Sequence, residues 1–371
     1  MEAQIEKLQL AYLRLKSTKG LGNRKTKLLV EHFGSALAVL EADQIALSEV
    51  ESIGPALINA LIKAKSNDWA EKEYERTKKA KVELINLEQD QYPSNLKAIF
   101  DPPILLYVKG KLPIFEGDLA KAIGIVGARD ASDYALSFTT KLAKDLATAN
   151  IVINSGLAIG IDGAAHKGAT QVENGKTIAV LGSGVDYIYP NTHRNLAAKI
   201  VAKHGAIISE YPLGTRPVAT NFPGRNRIIN GLSSGIVVVE AAKKSGSLIT
   251  ADYAAEEGRT VFAVPGRVGD PRSRGTLGLL KQGAILIDSA EDIFSEFSWT
   301  SKPKALKALN LSSAETKVLE LVRKLGNPLL DDLASGLDLP AAQIMSVLTM
   351  LELKGLAKAQ PGGRYIILPL Q

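Results

Sequence analysis

Between positions 120 and 297 the apolar residues come in short unbroken runs, and small residues follow each run closely. Ala122–Val126 leads into Gly127-Ala128-Arg129, and Ile151–Asn154 into Ser155-Gly156-Leu157-Ala158-Ile159-Gly160-Ile161-Asp162. Thr177–Leu181 leads into Gly182-Ser183-Gly184, Ile236–Ala241 into Lys243-Lys244-Ser245-Gly246-Ser247, and Thr260–Val264 into Pro265-Gly266-Arg267. Each run reads as a β-strand. Helices are expected over Ser132–Ala149, Asp162–Glu173, Thr192–Lys203, Pro223–Leu232, Ser247–Glu257 and Thr276–Lys281. Repeated alternation of strand and helix implies a doubly wound α/β domain. In a parallel sheet every loop after a strand leaves from the carboxyl edge, so the five glycine-rich loops line one crevice. Small residues let a ligand approach the backbone, and amides at the following helix starts favour anions, so the crevice reads as a phosphate binder.

The flanks carry a different pattern. Residues 1–80 read as helices broken by two glycine turns, Lys19-Gly20-Leu21-Gly22-Asn23-Arg24-Lys25 and Glu51-Ser52-Ile53-Gly54-Pro55-Ala56. Each turn precedes an apolar helix, a spacing similar to a tandem helix-hairpin-helix, whose hairpin amides can hold a DNA phosphate. Lys16, Lys19, Arg24, Lys25 and Lys27 surround the first turn, whereas the second has no basic residue until Lys63. A small helical docking module is the alternative. The α/β domain is expected over 81–297, opening with a connecting segment in which Asp101-Pro102-Pro103 turns into a short strand at Ile104–Tyr107. A lysine-bearing linker, 298–311, follows. Residues 312–371 then show helical patterns at Ser312–Leu325, Leu329–Gly336 and Pro340–Lys354, and a ribbon, Leu356–Gln360 and Arg364–Leu368, turning at Gly362-Gly363. Three helices and a ribbon resemble a winged helix. The third helix has no basic residue before Lys354, which favours a protein contact or a structural role over reading a DNA groove.

Composition narrows the partners. The chain has 371 residues, 46% hydrophobic, and no cysteine. That excludes disulfides, thiolate zinc sites and a cysteine nucleophile, and fits a reducing cytoplasm. No apolar run approaches the ~20 residues that span a bilayer, and Met1–Glu6 does not open a secretory signal, so a cytoplasmic protein without membrane contact is expected. The net charge of +6 is concentrated in the middle section and in Lys302, Lys304 and Lys307.

The common nucleotide signatures fail. Gly175-Lys176-Thr177 ends like a P-loop, but Thr170 stands where the first glycine belongs, and the segment precedes a strand. Gly182-Ser183-Gly184 begins like a dinucleotide fingerprint, but Tyr187 stands where its third glycine belongs. Hydrolytic groups are few. Asp162 and His166 stand four apart, which suits a capping Asp and a packed His better than a metal site. Asp186 and Glu210 follow expected strands at the same edge, and are expected to hold loops through backbone amides. No metal or cofactor is implied.

The middle section offers cations, amides and an aromatic instead. In Asn221-Phe222-Pro223-Gly224-Arg225-Asn226-Arg227-Ile228-Ile229-Asn230, Pro223 suits a helix first turn. Arg225 shares the inward face of Ile228 and Ile229, which aims its guanidinium toward the sheet edge. Phe222 is placed either to stack on a base, a contact that tolerates any sequence, or to plug the core. Arg129, Lys243, Lys244, Arg267, Arg272 and Arg274 sit on or near the loops, more cations than a mononucleotide needs.

Six ordered motifs then resemble one family: Gly127-x-Arg129-x-x-Ser132; Ser155-Gly156-Leu157-Ala158-x-Gly160-Ile161-Asp162; Ala179–Gly182-x-Gly184-x-Asp186-x-x-Tyr189-Pro190; Ser209-Glu210-Tyr211-Pro212; Phe222-Pro223-x-Arg225-Asn226-Arg227-Ile228-Ile229; and Ser245-Gly246-Ser247-Leu248-Ile249-Thr250. Over about residues 85–297 they resemble the DNA-processing protein A family, DprA or Smf. The resemblance implies a Rossmann-like sheet and a bacterial protein that binds single-stranded DNA. It also implies loading of RecA recombinase onto incoming strands in natural transformation, homodimers through the Rossmann-like domain, and no catalysis. It places phosphates at Gly127, Arg129, Ser132, Ser155, Gly156, Gly160 and the Ser245–Gly246–Ser247 turn with Lys244, and completes the strand path with Phe222, Arg225 and Arg227. Two positions depart from the family, which often has a basic residue where Ile159 and Gly224 stand. The competing enzyme class, a nucleotide phosphoribohydrolase on a related sheet, uses a Pro-Gly-Gly-x-Gly-Thr-x-x-Glu segment. The comparable Ser245–Asp252 lacks the extra glycines and the Glu.

Overall fold

The computed structural model describes residues 2–113, 121–299, 312–325, 328–337, 339–353, 356–360 and 364–367. The chain divides into two compact units, Met1–Ser301 and Lys302–Gln371. The expected linker, beyond residue 299, and the Gly362-Gly363 turn lie outside the described residues.

The first unit is built on one nine-stranded sheet: β1 (Glu83–Asn86), β2 (Leu105–Gly110), β3 (Ala122–Val126), β4 (Val152–Ser155), β5 (Thr177–Val180), β6 (Gly205–Ser209), β7 (Gly235–Val238), β8 (Thr260–Ala263) and β9 (Ile285–Leu286). The order is β1-β2-β6-β5-β4-β3-β7-β8-β9. From β6 to β9 all pairs are parallel. β2 joins β6 and β1 joins β2 antiparallel. The chain winds outward from β3 in one direction through β4, β5 and β6, then returns to lay β7, β8 and β9 on the other side. The order therefore reverses between β3 and β7, the doubly wound arrangement that leaves a crevice outside the carboxyl ends.

Both faces of the sheet are covered, which is why its strands read as continuous apolar runs. Alternation along each strand sends Ile236 and Val238 to one layer and Val237 to the other. One layer packs Ile123, Ile125, Val237 and Phe262 against Leu142, Leu146 and Ile293. In the other, six helices between Glu2–Ser17 and Trp69–Ala80 contribute Tyr12, Leu15, Leu29 and Leu61 to the cluster that holds Tyr107, Val180 and Ile208. Each such fully buried side chain contributes roughly 1.5–3 kcal/mol relative to exposure. Polar ties reinforce the contact: Gln9 Nε2 donates to Leu84 O at 3.0 Å, and Leu213 N donates to Glu73 Oε1 at 2.7 Å.

The expected helix Thr192–Lys203 is broken into a 3-10 turn at Asn191–His193, an α-helix at Arg194–Lys199 and a π-turn at Ile200–His204. The expected Asp162–Glu173 ends early, at Ala169. The pattern of apolar runs gives no sign of β1 and β9, and β6 is expected only as a strand ahead of Glu210, outside the five glycine-led runs.

The second unit has helices Ser313–Leu325, Leu330–Leu337 and Ala341–Leu353 around Val318, Leu333, Ile344 and Leu348, with strands β10 (Ala357–Gln360) and β11 (Arg364–Ile367) paired antiparallel. This is the winged-helix arrangement. No single helix among the described residues is long and apolar enough to cross a membrane.

Candidate nucleic-acid interface

Where the strand order reverses, the carboxyl edge holds a cavity of about 210 Å³ whose lining includes Gly127, Arg129, Phe222, Arg225, Ser247 and Thr250. Its shape follows from local sequence. The loop after β4 folds back on itself through Asp162, whose Oδ2 accepts from Gly156 N at 3.1 Å and Ala158 N at 3.4 Å. Gly160 is required: its φ is +79°, and a Cβ there would collide with the Ala128 carbonyl. Burial raises the Asp162 pKa, against the opposing pull of the Arg225 charge and the two amides.

The helix Asn221–Gly231 delivers Phe222 and Arg225 to the crevice from its first turns. Arg225 is 5% exposed. Its Nη1 donates to Val180 O, and its guanidinium lies flat against Gly156, leaving no room there for a Cβ. The sequence places this guanidinium at the sheet edge; it goes deeper, over the β4 loop. Among the described residues it forms no salt bridge and its Nε has no hydrogen-bond partner, and burial disfavours its charged form. Phe222 is half-buried, with Arg129 Cζ 5.4 Å and Arg225 Cζ 6.0 Å from its ring centroid. Both are within reach of a cation–π attraction. The Tyr189 ring stands 6.3 Å from the Phe222 ring and is 48% exposed. Arg129 is itself exposed.

The opposite wall is the start of the helix Gly246–Glu256. Ser245 caps it, its Oγ accepting from Ser247 N at 3.3 Å, and the two serine hydroxyls share a 2.7 Å hydrogen bond. No acidic residue occupies the first turn, and Lys243 and Lys244 are exposed just before it. Thr250, one turn further on, lines the crevice with a buried Oγ1 that has no hydrogen-bond partner among the described residues. A helix start without acidic residues, a buried unpaired hydroxyl and two arginines together make an anion site that also offers an aromatic face.

Other residues singled out from the sequence are engaged elsewhere. Ser132 caps the helix Asp133–Thr148, accepting from Ala135 N at 3.2 Å while its Oγ donates to Glu240 Oε1 at 2.6 Å. Ser155 is fully buried and donates to Ile125 O at 2.6 Å. Arg227 is not in the crevice: it projects from the other side of its helix and bridges Glu210 at 2.6 Å and Asp101 at 3.1 Å. Glu210 therefore does not hold a loop through amides, as expected; it accepts from Arg227 and from Asn23 Nδ2 at 3.1 Å. Asp186 does accept from Gly214 N, both oxygens at 2.9 Å. His166 is wholly buried with Nδ1 2.7 Å from Thr177 Oγ1. Because that hydroxyl donates to Ile153 O, the histidine proton sits on Nδ1. Burial pushes its pKa down to about 3.

Thr250, Asn226, Tyr189 and Glu240 were missed as site residues. The signal for Thr250 was present, since it lies three residues after Ser247 and shares its helix face. Glu240 closes the apolar run of β7, and nothing local marks it as the partner of Ser132.

A sequence model of the family described as DNA recombination-mediator protein A matches residues 83–298, and one of the DprA winged helix domain matches residues 302–363. The chain is 42% identical over 288 residues to Protein Smf of Escherichia coli, covering 76% of each. It is 45% identical over 215 residues to the DNA processing protein DprA of Bacillus subtilis, covering 58% of this chain and 71% of that one. Among solved structures it resembles DprA of Streptococcus pneumoniae, with a TM-score of 0.66 and 35% identity over 77% of this chain and 97% of that one. It also resembles DNA processing protein A of Helicobacter pylori, a structure described for its single-stranded DNA binding mode. There the TM-score is 0.50 and the identity 30%, over 58% of this chain and 96% of that one.

Proposed function

The chain belongs to the DNA recombination-mediator protein A family, and from that premise we propose that its crevice grips single-stranded DNA and performs no bond-breaking chemistry. One observation carries the reading: Arg129 and Arg225 flank the half-buried Phe222 ring beside a helix start free of acidic residues. The ring stacks a base, and the arginines and amides take the neighbouring phosphates, so affinity comes from backbone and π-faces with no base read. Gly127, Arg129, Phe222, Arg225 and the Ser245–Ser247 turn with Lys244 make direct contact. Gly156, Gly160, Ser132 and Ser155 shape the walls, and Arg227 positions the helix.

The absence of catalysis is supported by how the nearby carboxylates are used. Asp162 is held by two amides. Asp252, which follows the serine turn as the catalytic Glu would in a phosphoribohydrolase, lines a different cavity with Ala255 and Arg259. We extend the proposal to the family's wider role: a cytoplasmic protein that hands the strand to RecA recombinase and pairs with a second copy through the Rossmann-like domain. The short edge strand β9, with Leu286 53% exposed, suits such pairing.

Fluorescence anisotropy with single- and double-stranded oligonucleotides across a salt series tests the reading. Preference for the single strand is expected, with log affinity falling by about 0.7 per log unit of salt for each phosphate held. Equal binding of duplex, or release of free base from nucleoside monophosphates by the wild-type protein but not by an Arg129→Ala variant, defeats it.

A further inference from the structure

Phe100 is 70% exposed, and the Arg24 guanidinium lies over its ring with Cζ 3.9 Å from the centroid. The pair stands at a second cavity, about 750 Å³, lined by Gly20, Gly22, Arg24, Lys25, Lys27 and Phe100. Its two carboxylates are already engaged: Glu31 lies 3.9 Å from Lys27, and Asp101 lies 3.1 Å from Arg227. Among the described residues Lys25 and Arg24 in the lining form no ion pair, so the cavity is left with a positive excess, and Lys19, next in the chain to Gly20 of the lining, is unpaired as well. A large aromatic left open to water, with a planar cation fixed on it and unpaired lysines beside it, offers a π-face and a phosphate-seeking charge together.

The platform is joined to the crevice through side chains. Asn23, beside Arg24, donates to Glu210, which holds Arg227, which in turn holds Asp101 beside Phe100. Arg227 lies on the helix whose first turn carries Phe222. We propose that the Arg24–Phe100 platform is a second contact site for the same single strand, stacking a base beyond the crevice and taking its phosphates on Lys25 and Lys19. The proposal rests on the single-strand reading of the crevice and adds to it a minimum strand length.

Short and long strands separate the two sites. Labelled oligo(dT) of about 6 and about 30 nucleotides, within and beyond the span of one small binding module, is titrated with wild type, Phe100→Ala, Phe100→Trp and Arg129→Ala. Phe100→Ala removes an exposed ring and leaves the fold intact. It is expected to weaken the long strand about tenfold, the scale of one lost base stack, and to leave the short strand within about twofold. Phe100→Trp is expected to restore the long strand, with indole fluorescence quenched on binding. Arg129→Ala is expected to weaken both lengths. Wild-type affinity of Phe100→Ala for both lengths, as a protein-docking surface would give, overturns the platform. Equal loss at both lengths overturns it too. Wild-type binding by Arg129→Ala counts against the crevice instead.

Discussion

Two arginines stand two positions apart on the helix Asn221–Gly231, both buried, and the molecule treats them in opposite ways. Arg227 is neutralised twice over, by Glu210 and Asp101, in a cluster where the Lys16 ammonium is also within electrostatic reach. Arg225 has a backbone carbonyl, a glycine surface and the Phe222 ring around it; the buried Asp162 carboxylate acts on it electrostatically, but among the described residues no carboxylate forms a salt bridge with it. Leaving a buried cation without a salt bridge is expensive unless something outside the fold completes it. The pairing pattern, more than the residue type, separates the arginine that holds the helix from the one that faces a ligand.

The largest effect that would sharpen this contrast is on stability. Arg227→Met leaves Glu210 and the partly exposed Asp101 without their cation, and is expected to cost about 3 kcal/mol in urea unfolding, with unchanged affinity per folded molecule for a short strand held by the crevice alone. Lost affinity at unchanged stability would invert the comparison. Phe222→Ala is expected to reduce single-strand affinity by the ~1–3 kcal/mol of a base stack, measured by anisotropy, with little change in urea midpoint because the ring is only half-buried. Arg129→Ala should weaken binding of every sequence alike and flatten the salt dependence by about 0.7, leaving the unfolding curve in place.

The smallest effect is the part of acid stability that the Arg225 charge controls. His166 is held neutral, its pKa of about 3 lying below the ordinary 6.5, chiefly by burial, then by His193 and the Arg225 charge. The unfolded chain binds a proton at that site and the folded chain does not. As pH falls from 6.5 toward 3 the fold is expected to lose up to ~1.4 kcal/mol per pH unit from this group. Above 6.5 the term vanishes. In Arg225→Met one of the charges opposing protonation is gone, so the loss is expected to level off at a higher pH and to be smaller in total. Superimposable curves of urea stability against pH would mean that the Arg225 charge is screened from its neighbours.

The same contrast marks what the sequence makes legible. The five strands followed by glycine-bearing loops could be read because strands covered on both faces are written as unbroken apolar runs. β6 was legible only as a strand ahead of Glu210: Gly205–Ser209 leads into Glu210-Tyr211-Pro212, with no glycine to mark the turn. β1 is four residues long and carries Glu83 and Asn86, so it gives almost no pattern. In the site, the crevice loops and Phe222 were readable as positions. The serines were harder, because a short hydroxyl satisfies nearby backbone as readily as a ligand, and only the fold shows Ser155 spent on Ile125 and Ser132 on Glu240. Arg227 was unreadable as a structural cation, since Asp101 meets it from a distant part of the chain.

The guanidinium of Arg225 resting on the bare backbone of Gly156 ties two distant codons together. Neither position is free to drift alone: a methyl at 156 evicts the arginine, and a shorter residue at 225 opens a hole over the β4 loop. Lineages that abandon one are expected to abandon both, so the pair works as a heritable mark of whether the pocket still serves its purpose.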